Sequence, residues 1–391
     1  MVVVGTGSSK ETSGRMKPCM SVLVFALLVC CACATPRVDN LKVTPVSPWG
    51  MVLDYTVDGA EEGDGDVPLL VTLADGDKTY TAVNLTGAVR CGNGSHRVCW
   101  NTAKDGITAE IADGTVTVRY LPFLYCVVDL SGGTDAASYP VTRLTALPEG
   151  GWTDEYKTTK LVLRRIPAGS FIMGEDQTDE SHRVTLTKPF YMGVFPVTQK
   201  QWQLVMGVNI SNFKGDMRPM ECVSYDDIRG SSQGARWPLS NAVDASSFLG
   251  SLRAKTGLDF DLPTEAQWEY ACRAGTTTLY YWGDMMDGSY VWYRENSNSE
   301  THPVGMKLSN AWGLYDMSGN VWELCLDWWY GTLTYGTDPV GVDTGSCRVG
   351  RGGSWYDGFN YFVSSNRGDG GLNPSSRIYN NGFRLAMSLS H

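Results

Sequence analysis

D-L-P-T-E-A-Q-W-E-Y-A-C-R-A-G, at 261–275, is the stretch from which the chain is best read. Thr264 precedes Glu265-Ala266-Gln267. Its hydroxyl can accept from the amide of Gln267 while the Gln267 side chain reaches back, which is a capping box. Ala266, Glu269, Tyr270 and Arg273 continue a helix to Gly275, a residue suited to the left-handed turn that ends one. Upstream, 198–206 and 240–256 carry the amphipathic spacing of two more helices, and 161–167 reads as a strand followed by A-G-S-F-I-M-G at 168–174. Beyond Gly275 the period is lost. Glycines alternate with Trp and Tyr to the end, and no internal repeat is visible.

Residues 38–147 have a different texture. Short alternating runs recur at 50–55, 69–73, 79–85, 96–100, 107–111 and 114–120, separated by Gly/Asp/Asn turns. That pattern predicts a small all-β sandwich. It holds no titratable cluster, so a spacer or docking module is the expectation. Residues 148–159, opening P-E-G-G-W-T-D, have linker composition.

The chain has 391 residues, and Asp+Glu 42 against Lys+Arg 32 gives a net charge of −10. An acidic balance without basic clusters argues against a nucleic-acid partner. The four histidines (His96, His182, His302, His391) form no ligand pair, so a multi-His metal site is not supported. Arg15 and Lys17 precede an apolar run at 22–29 and the small-residue end C-C-A-C-A-T at 30–35. This reads as an export signal over 1–34 with cleavage after Ala34, and Met16 is an alternative start. The run is too short for a transmembrane helix. A lipid anchor on Cys33 is the other reading of the same segment. Cys91, Cys99, Cys126, Cys222, Cys272, Cys325 and Cys347 then remain. Cys91 and Cys99 flank a tight-turn sequence; a hairpin disulfide and two free thiols are both open readings.

Six ordered segments carry a resemblance: I-P-A-G-S-F-I-M-G (166–174), F-P-V-T-Q (195–199), 261–275 as quoted, N-A-W-G-L-Y-D-M-S-G-N-V-W-E-L (310–324), R-G-G-S-W (351–355) and N-G-F-R-L (381–385). Over about 160–391 the chain resembles the formylglycine-generating enzyme (sulfatase-modifying factor) family. The resemblance implies an α+β, C-type-lectin-like fold with sparse secondary structure, braced by calcium. In D-M-S-G-N-V-W-E it implies calcium ligands at Asp316, Gly319, Val321 and Glu323, a set suited to a hard cation that takes oxygen donors.

Family enzymes are copper-dependent, O2-using protein-cysteine oxidases whose metal sits on two thiolates, because soft ligands suit Cu(I). The resemblance puts those thiolates just after R-G-G-S-W, where this chain has Asp357 and Phe362. Ser354 matches the family's active-site serine and Trp355 its aromatic neighbour, but no cysteine follows Cys347. Copper is therefore not expected, and neither is the His-rich iron site of relatives on this fold.

The last loop, YDGFNYFVSSNRGDGGLNPSSRIYNN at 356–381, contains no Lys, Glu, Gln, Met or Trp. Tyr, Ser, Gly and Asn are the residues of adaptable binding surfaces. The loop also resembles the diversified segments that retroelements vary in binding proteins on this fold, and ordinary Gly/Asn/Ser loops look similar. Trp355, Tyr356, Asp357, Phe359, Tyr361, Asn366, Arg367, Asp369 and Tyr379 are the candidate contacts for a protein or peptide ligand. Three readings follow: an exported non-catalytic binding protein, an oxidoreductase of the family with altered metal chemistry, or a cell-envelope structural protein.

Overall fold

The computed structural model describes residues 2–7, 21–26, 37–368 (apart from 48–49, 59–66, 76–77, 84, 88–89, 92–93, 106, 108–114, 121–122 and 175–181) and 370–388. Two compact units divide between Phe123 and Leu124.

The first unit is built from antiparallel strands in two sheets. One runs Ser21–Ala26, Val2–Gly7, Thr115–Tyr120, Val67–Asp75, Lys78–Thr81; the other runs Arg37–Ser47, Gly50–Asp58, Gly94–Asn101, Leu85–Gly87. Period-two alternation sends Met51, Leu53, Tyr55 and Val57 from one sheet, and Leu69, Val71 and Leu73 from the other, into a single apolar cluster. Three expectations change here. The run at 79–85 is two strands in different sheets, broken where the exposed Val83 amide donates to Asp105. Ile107 is buried but outside any strand, and 108–111 lie outside the described residues. Arg37–Ser47 is an additional strand, with its register shifted beside Asn40, which has a positive φ. Part of the expected export signal, Ser21–Ala26, pairs with Val2–Gly7. Residues 27–36, with Cys33 and the expected cleavage point, and Met16 lie outside the described residues. Cys99 is a free, exposed thiol, so it forms no hairpin disulfide.

The second unit begins earlier than the expected boundary at 147. Tyr125–Asp129 and Val141–Leu144 join Lys160–Ile166, Phe190–Gly193, Ala386–Ser388 and Phe260–Asp261 in one antiparallel sheet. The expected first domain, 38–147, takes in the first two segments, but neither is one of its alternating runs: residues 125–128 are all buried. The expected linker is also ordered. Trp152 packs edge-on against Tyr125 and Tyr156 at 4.9 and 5.0 Å.

Four α-helices are described: α1 Gln199–Met206, α2 Tyr225–Arg229, α3 Phe248–Thr256 and α4 Glu265–Arg273. Capping boxes start α1 at Thr198, α2 at Ser224 and α4 at Thr264. The first three helices pack on the six-stranded sheet, with Trp202 and Phe248 stacked at 5.0 Å. The helix expected from 240 begins only at Phe248. Ser247 caps it, and the Asp244 carboxylate instead holds a turn by accepting from Ser232 and Gln233. The α4 expectation holds, except that Ala274 (φ 47°), not Gly275, is the left-handed cap. A smaller sheet of Arg348–Arg351, Trp322–Trp328 and Asn381–Gly382 lies next to α4 and carries the candidate site.

Candidate functional site

The strand Arg348–Arg351 ends in Gly352 and Gly353, both at positive φ (92° and 72°). A Cβ on Gly353 would sit 2.7 Å from the Phe362 ring, so glycine lets that ring lie against the main chain. The turn then carries Ser354 inside. Its hydroxyl donates to Asp357 Oδ2 at 2.5 Å and accepts from Tyr356 N and Asn380 Nδ2, both at 3.3 Å. Asp357 Oδ2 also accepts from Ser354 N at 2.9 Å. Ser354 and Asp357 thus close one turn, the ordinary use of such residues. Phe362 is fully buried with Tyr280 and Val291.

These are the two positions where the family resemblance places copper thiolates. A carboxylate committed to a turn and a buried phenyl ring do not fit Cu(I). Three of the cysteines elsewhere are held as thiols. Burial pushes the Cys272 thiol up to about 12 and the Cys325 thiol well above its usual value, and burial with the neighbouring Glu221 carboxylate pushes Cys222 up to about 12. These are conditions that favour a neutral thiol over a thiolate.

Below the loop lies a buried ion network. Glu265 and Glu269, one turn apart on α4, both meet Arg351. Its Nε donates to Glu265 Oε1 at 2.9 Å and its Nη2 to Glu269 Oε2 at 2.8 Å. Arg273 closes on Glu269 at 2.9 Å. Arg351 Nη1 donates onward to the carbonyls of Ser364 and Asn366, inside the loop. Charges this deep persist only when paired and hydrogen-bonded, as these are.

The expected calcium carboxylates have different surroundings. Asp316 is buried at φ 53°, and its Oδ2 accepts from Gly305 N at 2.7 Å. Its Oδ1 has no hydrogen-bond partner, and burial lifts its pKa to about 6. Glu323 is paired. Arg384 donates to its two oxygens at 2.6 and 2.7 Å, and Trp268 Nε1 donates at 2.6 Å. The expected pair therefore splits into an open Asp316 and a Glu323 already matched by a buried arginine. Val321 is buried, and Gly319 has φ 77°.

The candidate ligand contacts also separate by face. Tyr356, Phe359 and Tyr379 are exposed at 52%, 56% and 44%, while Asp357 and Tyr361 are half-buried. Trp355 is nearly covered, with its ring edge-on to Phe213 at 5.3 Å and 5.8 Å from Tyr379. Asn366 turns its Oδ1 inward. Arg367 is an anchor and not a free contact: it donates to both Glu265 oxygens, at 2.7 and 3.0 Å, and to Tyr330 O. Asp369 lies outside the described residues. Two residues absent from the sequence reading join this face. Phe213 packs under Trp355, and Arg294 donates to Tyr356 O at 3.0 Å with its guanidinium over the Tyr356 ring. Neither stands in a local pattern that would have marked it.

The fold and site describe a sheet-rich α+β domain whose C-terminal loop is clamped from within by arginine–glutamate pairs. The chain belongs to the sulfatase-modifying factor enzyme 1-like family, whose domain matches over residues 153–389. It is 29% identical over 230 residues to the chaperone protein LppX of Paenibacillus barcinonensis, covering 50% of this chain and 79% of that protein. It is 28% identical over 312 residues to the formylglycine-generating enzyme of Bos taurus, covering 65% of this chain and 82% of that one. Several other relatives are matched over less than half of their own length. Among solved structures, Treponema denticola variable protein 1 aligns with a TM-score of 0.48 and 28% identity, over 59% of this chain and 96% of that chain. Among the described residues, no helix is long and apolar enough to cross a membrane.

Proposed function

We propose that this chain is an exported, non-catalytic binding protein that presents a ligand surface on its C-terminal loop. One observation carries the reading: the two positions where the family's copper thiolates are expected hold a turn-closing Asp357 and a fully buried Phe362. The loop is anchored from below while Tyr356, Phe359 and Tyr379 face outward. Rigid aromatic area on a fixed base suits a protein or peptide ligand. Calcium is the proposed brace: Asp316 has an unpartnered buried oxygen, and carbonyls of Gly319 and Val321 would complete an oxygen set, with Glu323 shared with Arg384. Export rests on the basic, apolar and small-residue pattern of 15–35. The first unit serves as a spacer or docking module.

The test is direct. The full chain, loaded with Cu(I), is incubated with a cysteine peptide carrying a sulfatase motif, and aldehyde is measured by mass spectrometry. No conversion is expected. Turnover would restore the oxidoreductase reading.

A further inference from the structure

We propose that the C-terminal loop face carries a recessed subsite for the side-chain carboxamide of an asparagine or glutamine in a peptide ligand, with Glu221 as acceptor and Trp355 as donor. The inference rests on the binding-protein reading and names the ligand group that this face selects. Phe213 joins the two residues. Its N–H donates to Glu221 Oε1 at 2.8 Å, and its ring lies edge-on to the Trp355 ring at 5.3 Å. Tyr379 completes the wall, 5.8 Å from the Trp355 ring and 6.5 Å from the Phe213 ring. Cys222 ties the same stretch to the loop, since its N–H donates to Ile378 O at 3.1 Å.

Two polar atoms here are left without a mate. Glu221 is fully buried, and its Oε2 makes no hydrogen bond. The Cys222 thiol beside it is a weak donor. Trp355 Nε1 is likewise buried and without a partner. An unmet polar group is costly where water does not reach it, so the face favours a ligand that brings one donor and one acceptor. The buried Glu265, Glu269 and Glu323 each meet an arginine. Glu221 meets none among the described residues: Arg218 closes on Glu300, Arg377 on Asp227, and Lys214 Nζ donates to Asn209 O.

Hydrogen bonding, not charge, selects the ligand group. Lys214 and Asp216 are both exposed, so the rim near Phe213 carries both signs. Burial pushes the Glu221 carboxyl up from its usual range. A carboxamide answers either protonation state: its N–H donates to a carboxylate, and its carbonyl accepts from an acid and from Trp355 Nε1. Reach argues for a side chain. Glu221 is 0% and Trp355 5% exposed, below a rim of half-buried Phe213 and Cys222 and exposed Tyr379. A ligand main chain lying along that rim stays above both polar atoms, whereas a side chain extends down to them.

The experiment uses the full chain with isotope-labelled tryptophan, read by NMR. The Trp355 indole N–H signal is assigned by its loss in Trp355→Phe. Propionamide, N-methylpropionamide, propionate and propylammonium are then titrated separately. Propionamide should move the signal saturably, and the other probes should bind about tenfold more weakly or less. Glu221→Gln keeps the side chain's size and an acceptor for Phe213 N, but sets N–H groups in place of Oε2. It should weaken propionamide by about tenfold, with a thermal melt showing that the variant is folded. Unchanged propionamide binding in Glu221→Gln would overturn the proposal. Equal binding of N-methylpropionamide would give the contact to a ligand main chain, and tighter binding of propylammonium would make Glu221 a cation site; either overturns it. No saturable shift with any probe overturns it too and leaves Glu221 a buried acid only. The loop reading fails separately, on aldehyde formation in the copper assay.

Discussion

Arg367 in the C-terminal loop donates to both carboxylate oxygens of Glu265, the first residue of α4, at 2.7 and 3.0 Å. Because Arg351 also donates to Glu265, one buried carboxylate ties a helix, a strand and the loop together. The loop's outward residues are left out of that work.

Arg367→Ala should therefore destabilise the second unit by about 3 kcal/mol, since it strips a partner from a buried charge. Urea unfolding followed by tryptophan fluorescence measures this. A change under about 0.5 kcal/mol, the scale of an ordinary surface substitution, would show that the loop is not anchored there.

Asp327 should set a pH dependence. It is buried, it accepts from Glu265 N at 2.7 Å, and burial followed by the Glu265 charge raises its pKa to about 7. A carboxyl whose folded pKa lies above its unfolded value holds its proton more tightly when folded. Its contribution to stability is therefore full below about pH 4 and is lost as pH rises towards and past 7. Asp327→Asn keeps an acceptor for the Glu265 amide and should flatten the stability profile over that window. An unchanged slope would remove Asp327 as its source.

If calcium seats on Asp316, chelation should lower the melting temperature of the full chain and added calcium should restore it. Asp316→Asn should abolish that response, while Asp357→Asn keeps it. A melting temperature indifferent to calcium in the unaltered protein would leave Asp316 as a buried acid only.

Gly353→Ala should cost about 1–3 kcal/mol, because the residue is left-handed and a Cβ there meets the Phe362 ring at 2.7 Å. The same exchange at Gly358, which has no atom within 4 Å of an added Cβ and a φ of −86°, should be nearly neutral. Thermal melts of the two variants decide it.

Tyr379→Ala and Phe359→Ala should change stability by no more than about 0.5 kcal/mol, as exposed substitutions do. Once a ligand is captured, they should weaken its binding. A large loss of stability in either would mean that these rings brace the fold.

Much of this was legible in the chain. The Thr264–Gln267 capping box is local chemistry, and it appears where expected with reciprocal bonds of 3.0 and 3.1 Å. Period-two runs located most strands of the first unit, but no such run marks Tyr125–Asp129 or Val141–Leu144, which the expected boundary at 147 leaves with the sandwich although they pair in the second unit. A strand buried on both faces shows no alternation to read, and burial alone does not say which sheet it joins.

For the site, the segment order and the absence of cysteines at Asp357 and Phe362 were visible in the sequence, because residue identity and short spacing suffice for both. Direction was not. Arg367 looked like a ligand contact until Glu265, far away in sequence, drew it inward, and nothing near Glu323 in sequence announced that Arg384 closes on it. Local sequence determines caps, turns and which residues are present. Which buried charge finds which partner is decided when distant segments pack, since an ion shut away from water must be matched by whatever the fold brings beside it.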